Sequence, residues 1–103
     1  MGQVVTVLTA SVSAERVADL QAAYADATGN PFPPGLVRSA LLRNTNDPTE
    51  WRIETIWQSH EALAAMRQLG KPRGVQIFEA AGAAPSLSIF DAIAELLPSG
   101  RLR

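Results

Sequence analysis

Cysteine is absent from the sequence, which excludes disulfides, thiolate zinc sites, iron–sulfur clusters and thiol catalysis together. Histidine occurs once, at His60, so a Ser-His-Asp arrangement has one candidate base and a multi-histidine metal site cannot be built within one chain; no metal is expected. There is no excess of positive charge: nine Lys and Arg stand against ten Asp and Glu, for a net charge of −1, and the pI is about 5.7. Partners that are polyanionic, whether nucleic acid or an anionic membrane, select a basic surface, so neither is expected. Long apolar runs are missing as well. Nothing approaches the roughly 20 residues that cross a bilayer, and no basic segment precedes the Val-rich start as it would in a secretory signal; a cytoplasmic location is expected. What is present is a folding composition: 47% hydrophobic and 18% charged over 103 residues. That is the size of one domain, spanning 1–103, which buries roughly two-thirds of its unfolded surface.

Residues 3–10, Gln-Val-Val-Thr-Val-Leu-Thr-Ala, are rich in β-branched side chains and predict a first strand. Ser13 stands where a helix N-cap is needed, with Glu15 in the first turn. Val17, Leu20, Tyr24 and Ala27 then recur at helical spacing up to Gly29, which predicts a helix over 14–28. The prolines of residues 29–35 cannot continue it, since each lacks a donor and clashes one turn back. Residues 36–43 predict a second strand and 50–58 a third, joined through Asn44-Thr45-Asn46-Asp47-Pro48 as an antiparallel hairpin. Ser59 predicts the cap of a helix over 60–69, residues 70–74 break it, and a short third helix is expected over 75–81. Ser86 to Asp91 alternates as a last strand, whereas 91–97 could also be helical through Ile93, Ala94 and Leu97; Arg101-Leu102-Arg103 reads as a frayed tail within 98–103.

The order strand, helix, strand, strand, helix, strand predicts an α+β, ferredoxin-like βαββαβ fold. Right-handed crossovers put the helices on one face of a four-stranded antiparallel sheet. The other face is left bare, yet it is not polar: both parities of the first strand (Val4, Thr6, Leu8 and Val5, Val7, Thr9) carry apolar groups, and Ile56 lies among Arg52, Glu54 and Gln58 on the third. Strands of about seven residues make a face of about 400 Å², as large as the apolar patches monomers tolerate. A second copy packed sheet to sheet is therefore expected.

Three segments carry a resemblance: Pro34-Gly35-Leu36 opening a strand, Asp47-Pro48 in the hairpin turn, and the run from Trp51 to Leu63 leading from strand into helix. Over about residues 3–91 the chain resembles the antibiotic biosynthesis monooxygenase domain family. The most specific part is the strand-end Trp57 followed by a polar residue, a helix cap and Glu61-Ala62-Leu63. The resemblance implies a homodimeric α/β barrel with a pocket between the sheet and helices of each subunit. It also implies cofactor-independent oxidation of an aromatic, quinol or polyketide-type molecule. The haem-degrading branch places a Trp in the second helix and a His ligand about ten residues on; counted from Trp57 those positions are Met66 and Gln76, so haem degradation is not expected.

Oxygenation without a cofactor asks for a few donors or a base beside an otherwise apolar cavity. The candidates for the polar role are Arg38, Asn44, Glu54 and Gln76, with Gln58 and His60 also available; the candidate walls are Tyr24, Trp57, Met66 and Phe78. Each has a plainer reading. Trp57, Met66 and Phe78 serve equally as core, and the Tyr24 ring is core even where its hydroxyl meets a substrate oxygen. His60 falls at an exposed first helical position, and Ala64 stands where a His-Glu-x-x-His zinc motif needs its second histidine. Arg38 and Glu54 pair across the hairpin if residues whose numbers sum to 92 face each other, and otherwise are free to face the cavity. Lys71 and Arg73, flanking Pro72, are either solvated charges or a lip that attracts anions. Two other functions fit the same scaffold: a non-catalytic small-ligand or partner-binding module, and a polyketide cyclase or isomerase using a base without oxygen.

Overall fold

The computed structural model describes residues 2–96 and Pro98. Strand β1 (Val4–Ser11) leads through a 3-10 turn (Ala14–Arg16) into helix α1 (Val17–Thr28); β2 (Leu36–Arg43) and β3 (Glu50–Trp57) form the hairpin; α2 (His60–Arg67), α3 (Arg73–Ala80) and β4 (Ser86–Asp91) complete the chain. The sheet order is β2-β3-β1-β4, antiparallel throughout, which is the expected ferredoxin-like α+β arrangement. Among the described residues no helix is long and apolar enough to cross a membrane.

Local signals differ in how the chain uses them. Ser59 caps α2 as expected, its hydroxyl accepting from Ala62 N at 3.1 Å, whereas Ser13 is extended but makes no side-chain cap bond, and the turn beyond it opens as 3-10. Helix α3 begins at Arg73, two residues before the expected 75, with Pro72 supplying its extended N-cap. Gly74 is therefore inside the helix. A Cβ there would lie 2.5 Å from Leu8 Cδ1, so glycine lets the first turn of α3 lie directly on the sheet. After β4, residues 92–95 are neither helix nor strand, so the helical alternative does not form up to Leu96; Leu97 and the tail 101–103 lie outside the described residues.

The hairpin register differs from the one that would pair Arg38 with Glu54. Arg38 stands opposite Ile56, and Glu54 opposite Ala40, after an irregularity between Leu36 and Arg38. The turn chemistry sets this. Asn44 Oδ1 accepts from Asn46 N at 2.8 Å and Asp47 N at 3.2 Å, and Asn44 N donates to Glu50 O at 3.0 Å to close the loop. Asp47 Oδ1 accepts from the Thr49 hydroxyl at 2.6 Å and from Thr49 N at 3.1 Å; these two bonds, the hydroxyl's foremost, hold its carboxyl below the usual carboxylate range.

Because the strands are in register, the helix-side face reads as cross-strand rows: Leu36–Trp57–Val4, then Ser39–Thr55–Thr6, then Leu41–Ile53–Leu8, then Arg43–Trp51–Ala10. Helices pack on the apolar rows and leave two clusters. Leu8, Ile53, Trp51, Leu20, Ile77 and Phe78 dominate the larger; Val4, Trp57 and Leu63 form the smaller. By alternation, the bare face carries Val5, Val7, Ile56 and Phe90 among Arg38, Glu54 and Arg52.

Gly35 joins the connector to β2 at φ +88°, and a Cβ on it would lie 2.4 Å from Ala62 Cβ; its carbonyl accepts from Gln58 N at 2.8 Å. Gly35→Ala adds both a left-handed strain and an overpacked contact, so it is expected to cost about 3 kcal/mol or more, read as a lowered urea midpoint at unchanged slope.

Candidate functional site

The hydroxyl row divides the two apolar clusters, and above it a cavity of about 540 Å³ opens between sheet and helices, within the size range of small-molecule sites. Its floor is Thr6, Leu8, Ser39, Ile53, Thr55 and Trp57; Tyr24 and Ala27 of α1, Met66 of α2 and Gly74, Gln76 and Ile77 of α3 form the walls. Phe32, Val37 and Leu69 also line it while remaining 54%, 45% and 78% exposed, which places them at the mouth.

The polar atoms of the floor are linked. Tyr24 OH donates to Ser39 Oγ at 3.2 Å, Ser39 Oγ and Thr55 Oγ1 are 3.2 Å apart, and the Trp57 indole Nε1–H donates to Thr6 Oγ1 at 3.2 Å. Thr6 and Thr55 are buried, so these hydroxyls have left water and depend on such partners. Two cationic side chains, Lys71 and Arg73, border the cavity, while Arg38 touches it only through its place in β2, its side chain being at the bare-face parity opposite Ile56; no Asp, Glu or His is among the described lining residues. Lys71 is paired with Glu79 at 2.9 Å, outside the cavity. Arg73 is a strap: it donates to Ala27 O at 3.4 Å and to Pro31 O, with its guanidinium 6.0 Å from the Phe32 ring centre. It thereby adds a charged donor to a carbonyl at the C-terminal end of α1 that also accepts from Asn30 N at 3.3 Å, and ties the connector to α3 at the mouth.

Of the residues selected from sequence, Tyr24, Trp57, Met66 and Gln76 line this one cavity, and Arg38 borders it from a strand position whose side chain is at the bare-face parity. Trp57 is both wall and core, being 4% exposed. Gln76 Nε2 donates to Lys71 O at 3.0 Å and ties α3 to the loop before it. Asn44, Glu54, Phe78, Gln58 and His60 are not among its lining residues. Asn44 organises the hairpin turn. Glu54 is on the bare face, because it stands between Ala40 and Val7 at the parity opposite to Thr55. Phe78 is 0% exposed in the larger cluster. His60 is exposed, 2.6 Å from Asp91 Oδ1, away from the cavity. The residues that composition and motif searches missed are Thr6, Ser39 and Thr55. Their signal is a polar residue at inward parity in each of three strands, which becomes one row only when the register is known.

Thr6→Val keeps the side-chain shape but leaves the buried Trp57 indole N–H without an acceptor. It is expected to cost about 1–3 kcal/mol by chemical denaturation, whereas Thr6→Ser, which retains the oxygen, is expected to cost less than half of that loss.

Comparison with known proteins follows from this geometry. The profile of the family described as antibiotic biosynthesis monooxygenase matches residues 3–73. No curated protein sequence matches the chain. Among solved structures, the fold is similar to SnoaB, a cofactor-independent oxygenase from Streptomyces nogalater, at 24% identity over 93% of this chain and 97% of that one, with a TM-score of 0.69. It is also similar to a protein from Deinococcus radiodurans described as a candidate antibiotic biosynthesis monooxygenase, at 21% identity over 84% and 89% of the two chains, TM-score 0.65. A conserved protein from Methanosarcina mazei shares the fold at 13% identity over 87% and 92%, TM-score 0.66. With more than half of its length matched by the family profile, the chain belongs to the antibiotic biosynthesis monooxygenase family.

Proposed function

We propose that the protein is a cofactor-independent monooxygenase that oxidises a small aromatic, quinol or polyketide-type molecule in the cavity over the hydroxyl row. The observation that carries this reading is the row itself, a strip of hydrogen-bonding groups on the floor of an otherwise apolar chamber. In an anthrone-like substrate the ring system lies between Tyr24, Trp57 and Met66, with a ring oxygen against the hydroxyls. Loss of a proton from the ring CH₂ to hydroxide or water at the open mouth, before the ring system is seated, leaves a carbanion whose charge resides on that oxygen, where fixed donors stabilise it. The carbanion carbon gives its electrons to dioxygen and forms a C–O bond. The O–O bond then breaks, and the second hydrogen of the same carbon leaves as a proton. The balance is CH₂ plus O₂ to C=O plus H₂O: the substrate supplies all the electrons, and apolar walls keep water from the carbanion.

The cyclase or isomerase alternative begins with the same proton loss in the same cavity and differs in needing no dioxygen, so oxygen uptake separates the two. Non-catalytic binding is the outcome if oxidation fails. The second part of the proposal is a homodimer in which a second copy covers Val5, Val7, Ile56 and Phe90 of the bare face; Phe90 is 54% exposed in the single chain.

With an anthrone and no added flavin or metal, oxygen uptake is expected well above the buffer rate, one O₂ per quinone formed, with one ¹⁸O atom from labelled dioxygen in the product. Ligand binding without uptake across a panel of anthrones and hydroquinones leaves the binding module in its place. Light scattering is expected to return about twice the 11.0 kDa of one chain. Ile56→Arg, beside Arg38 in its row, is expected to halve that mass while far-UV circular dichroism stays unchanged.

A further inference from the structure

We infer that the bare sheet face is keyed to a second copy of this chain by two reciprocal ion pairs, Arg38 of each copy against Glu54 of the other, with Ile56 and Ala40 meeting their own counterparts on the two-fold axis. This rests on the homodimer of the functional reading above and supplies its register; the chemistry in the cavity does not enter.

The charges of that face select its occupant. By parity it carries Arg38 from β2 and Glu50, Arg52 and Glu54 from β3, while β1 and β4 add no charge to it. Arg52 is matched within the chain by Glu50 at 3.0 Å. Arg38 and Glu54 form no ion pair among the described residues, although they are diagonal neighbours across a strand pair, within reach of long side chains. The two arginines balance the two glutamates, so a polyion of either sign gains nothing here, whereas a surface with the same pattern complements it. Glu54 is already partly buried, beside Val7 and Ala40. Once the face is covered its carboxylate leaves water and needs a cationic partner. Arg38 is exposed, and its guanidinium is a forked donor suited to a carboxylate.

Symmetry then fixes the register. Arg38 stands opposite Ile56 and Ala40 opposite Glu54, so these residues make one patch with the charges on one diagonal and the apolar pair on the other. An isologous dimer lays this patch on itself about a two-fold axis between the sheets. With the axis along the charged diagonal, Arg38 meets Arg38 and Glu54 meets Glu54, and both contacts repel. With the axis along the strands or straight across them, each charge faces Ala40 or Ile56 and is buried without a partner. The axis along Ala40 and Ile56 brings Arg38 onto Glu54, and does so twice, with the apolar pair between the two ion pairs. From a strand spacing of about 4.8 Å and a rise of about 3.3 Å per residue, that diagonal lies about 35° from the strands. Strands of the two copies then cross at about 70°, near the orthogonal class of sheet packing.

The test reads dimer dissociation constants of the full chain by sedimentation over a dilution series, with far-UV circular dichroism to check that each variant folds. Arg38→Glu and Glu54→Arg each set like charges against one another at both pairs, and each is expected to weaken the dimer at least about tenfold. The doubly reversed chain, Arg38→Glu with Glu54→Arg, is expected to return to within about threefold of wild type. An equimolar mixture of the two single variants is expected to form a one-to-one heterodimer in preference to either homodimer. Where a reversal unfolds the chain, Arg38→Gln and Glu54→Gln take its place; each is expected to weaken the dimer about threefold or more, and the two together by less than the product of their separate effects. Single variants as tight as wild type, no recovery in the double reversal, no heterodimer in the mixture, or strictly multiplicative Gln variants overturns the inference and leaves the homodimer to rest on other contacts. A wild-type chain that sediments at 11.0 kDa at every concentration removes the homodimer, and this register with it.

Discussion

Alignment of three hydroxyl-bearing residues across neighbouring strands is the constraint on which the interior depends. Ser39, Thr55 and Thr6 occupy the helix-side row in which β2, β3 and β1 offer no aliphatic group, and Ile89 completes it only at the β4 edge, so over those three strands the helices have no aliphatic side chain to bury. Packing separates instead into a large cluster around Leu20, Ile53 and Phe78 and a small one around Val4, Trp57 and Leu63, with the cavity between them. Hydroxyls in an apolar interior are tolerated when they are bonded, and Tyr24 from α1 and the Trp57 indole supply those bonds. The same contacts that keep the core satisfied line the cavity floor with hydroxyl groups.

The rest of the architecture can be read as support for that chamber. Glycine at 74 lets α3 lie close to Leu8, and Arg73 one residue earlier reaches across to α1 and the connector. The opening is bordered by exposed Phe32, Val37 and Leu69 together with Lys71 and Arg73. The chain belongs to the antibiotic biosynthesis monooxygenase family and shares its fold with SnoaB, while the residues that build the cavity floor belong to this chain's own strands.

Element types were legible because each had a local cause: β-branched runs for β1 and β3, apolar residues at helical spacing for α1, Ser59 and Ala62 for the start of α2. The errors were also local in origin. Gly70 to Gly74 contains two glycines and a proline, and so reads as a break; a helix starts inside it because α3 gains contact with the sheet that no pattern of propensities contains. Glu54 and Asn44 were drawn into the candidate site by their chemistry alone. A one-residue difference in parity places Glu54 on the opposite face from Thr55, and Asn44 is consumed by the turn it organises.

The amino-acid order by itself determined the α+β architecture, the antiparallel hairpin and three residues that line the cavity, Tyr24, Trp57 and Met66, since hydrophobic period and turn residues act over a few positions. Which side chains meet inside was decided by the tertiary structure. The irregularity between Leu36 and Arg38 and the loop closed by Asn44 and Glu50 set how β2 slides on β3, and that offset brings Ser39 beside Thr55 rather than beside a neighbour two residues away. Register is a long-range quantity, fixed by hydrogen bonds between segments far apart in the chain, and the hydroxyl row exists only through it.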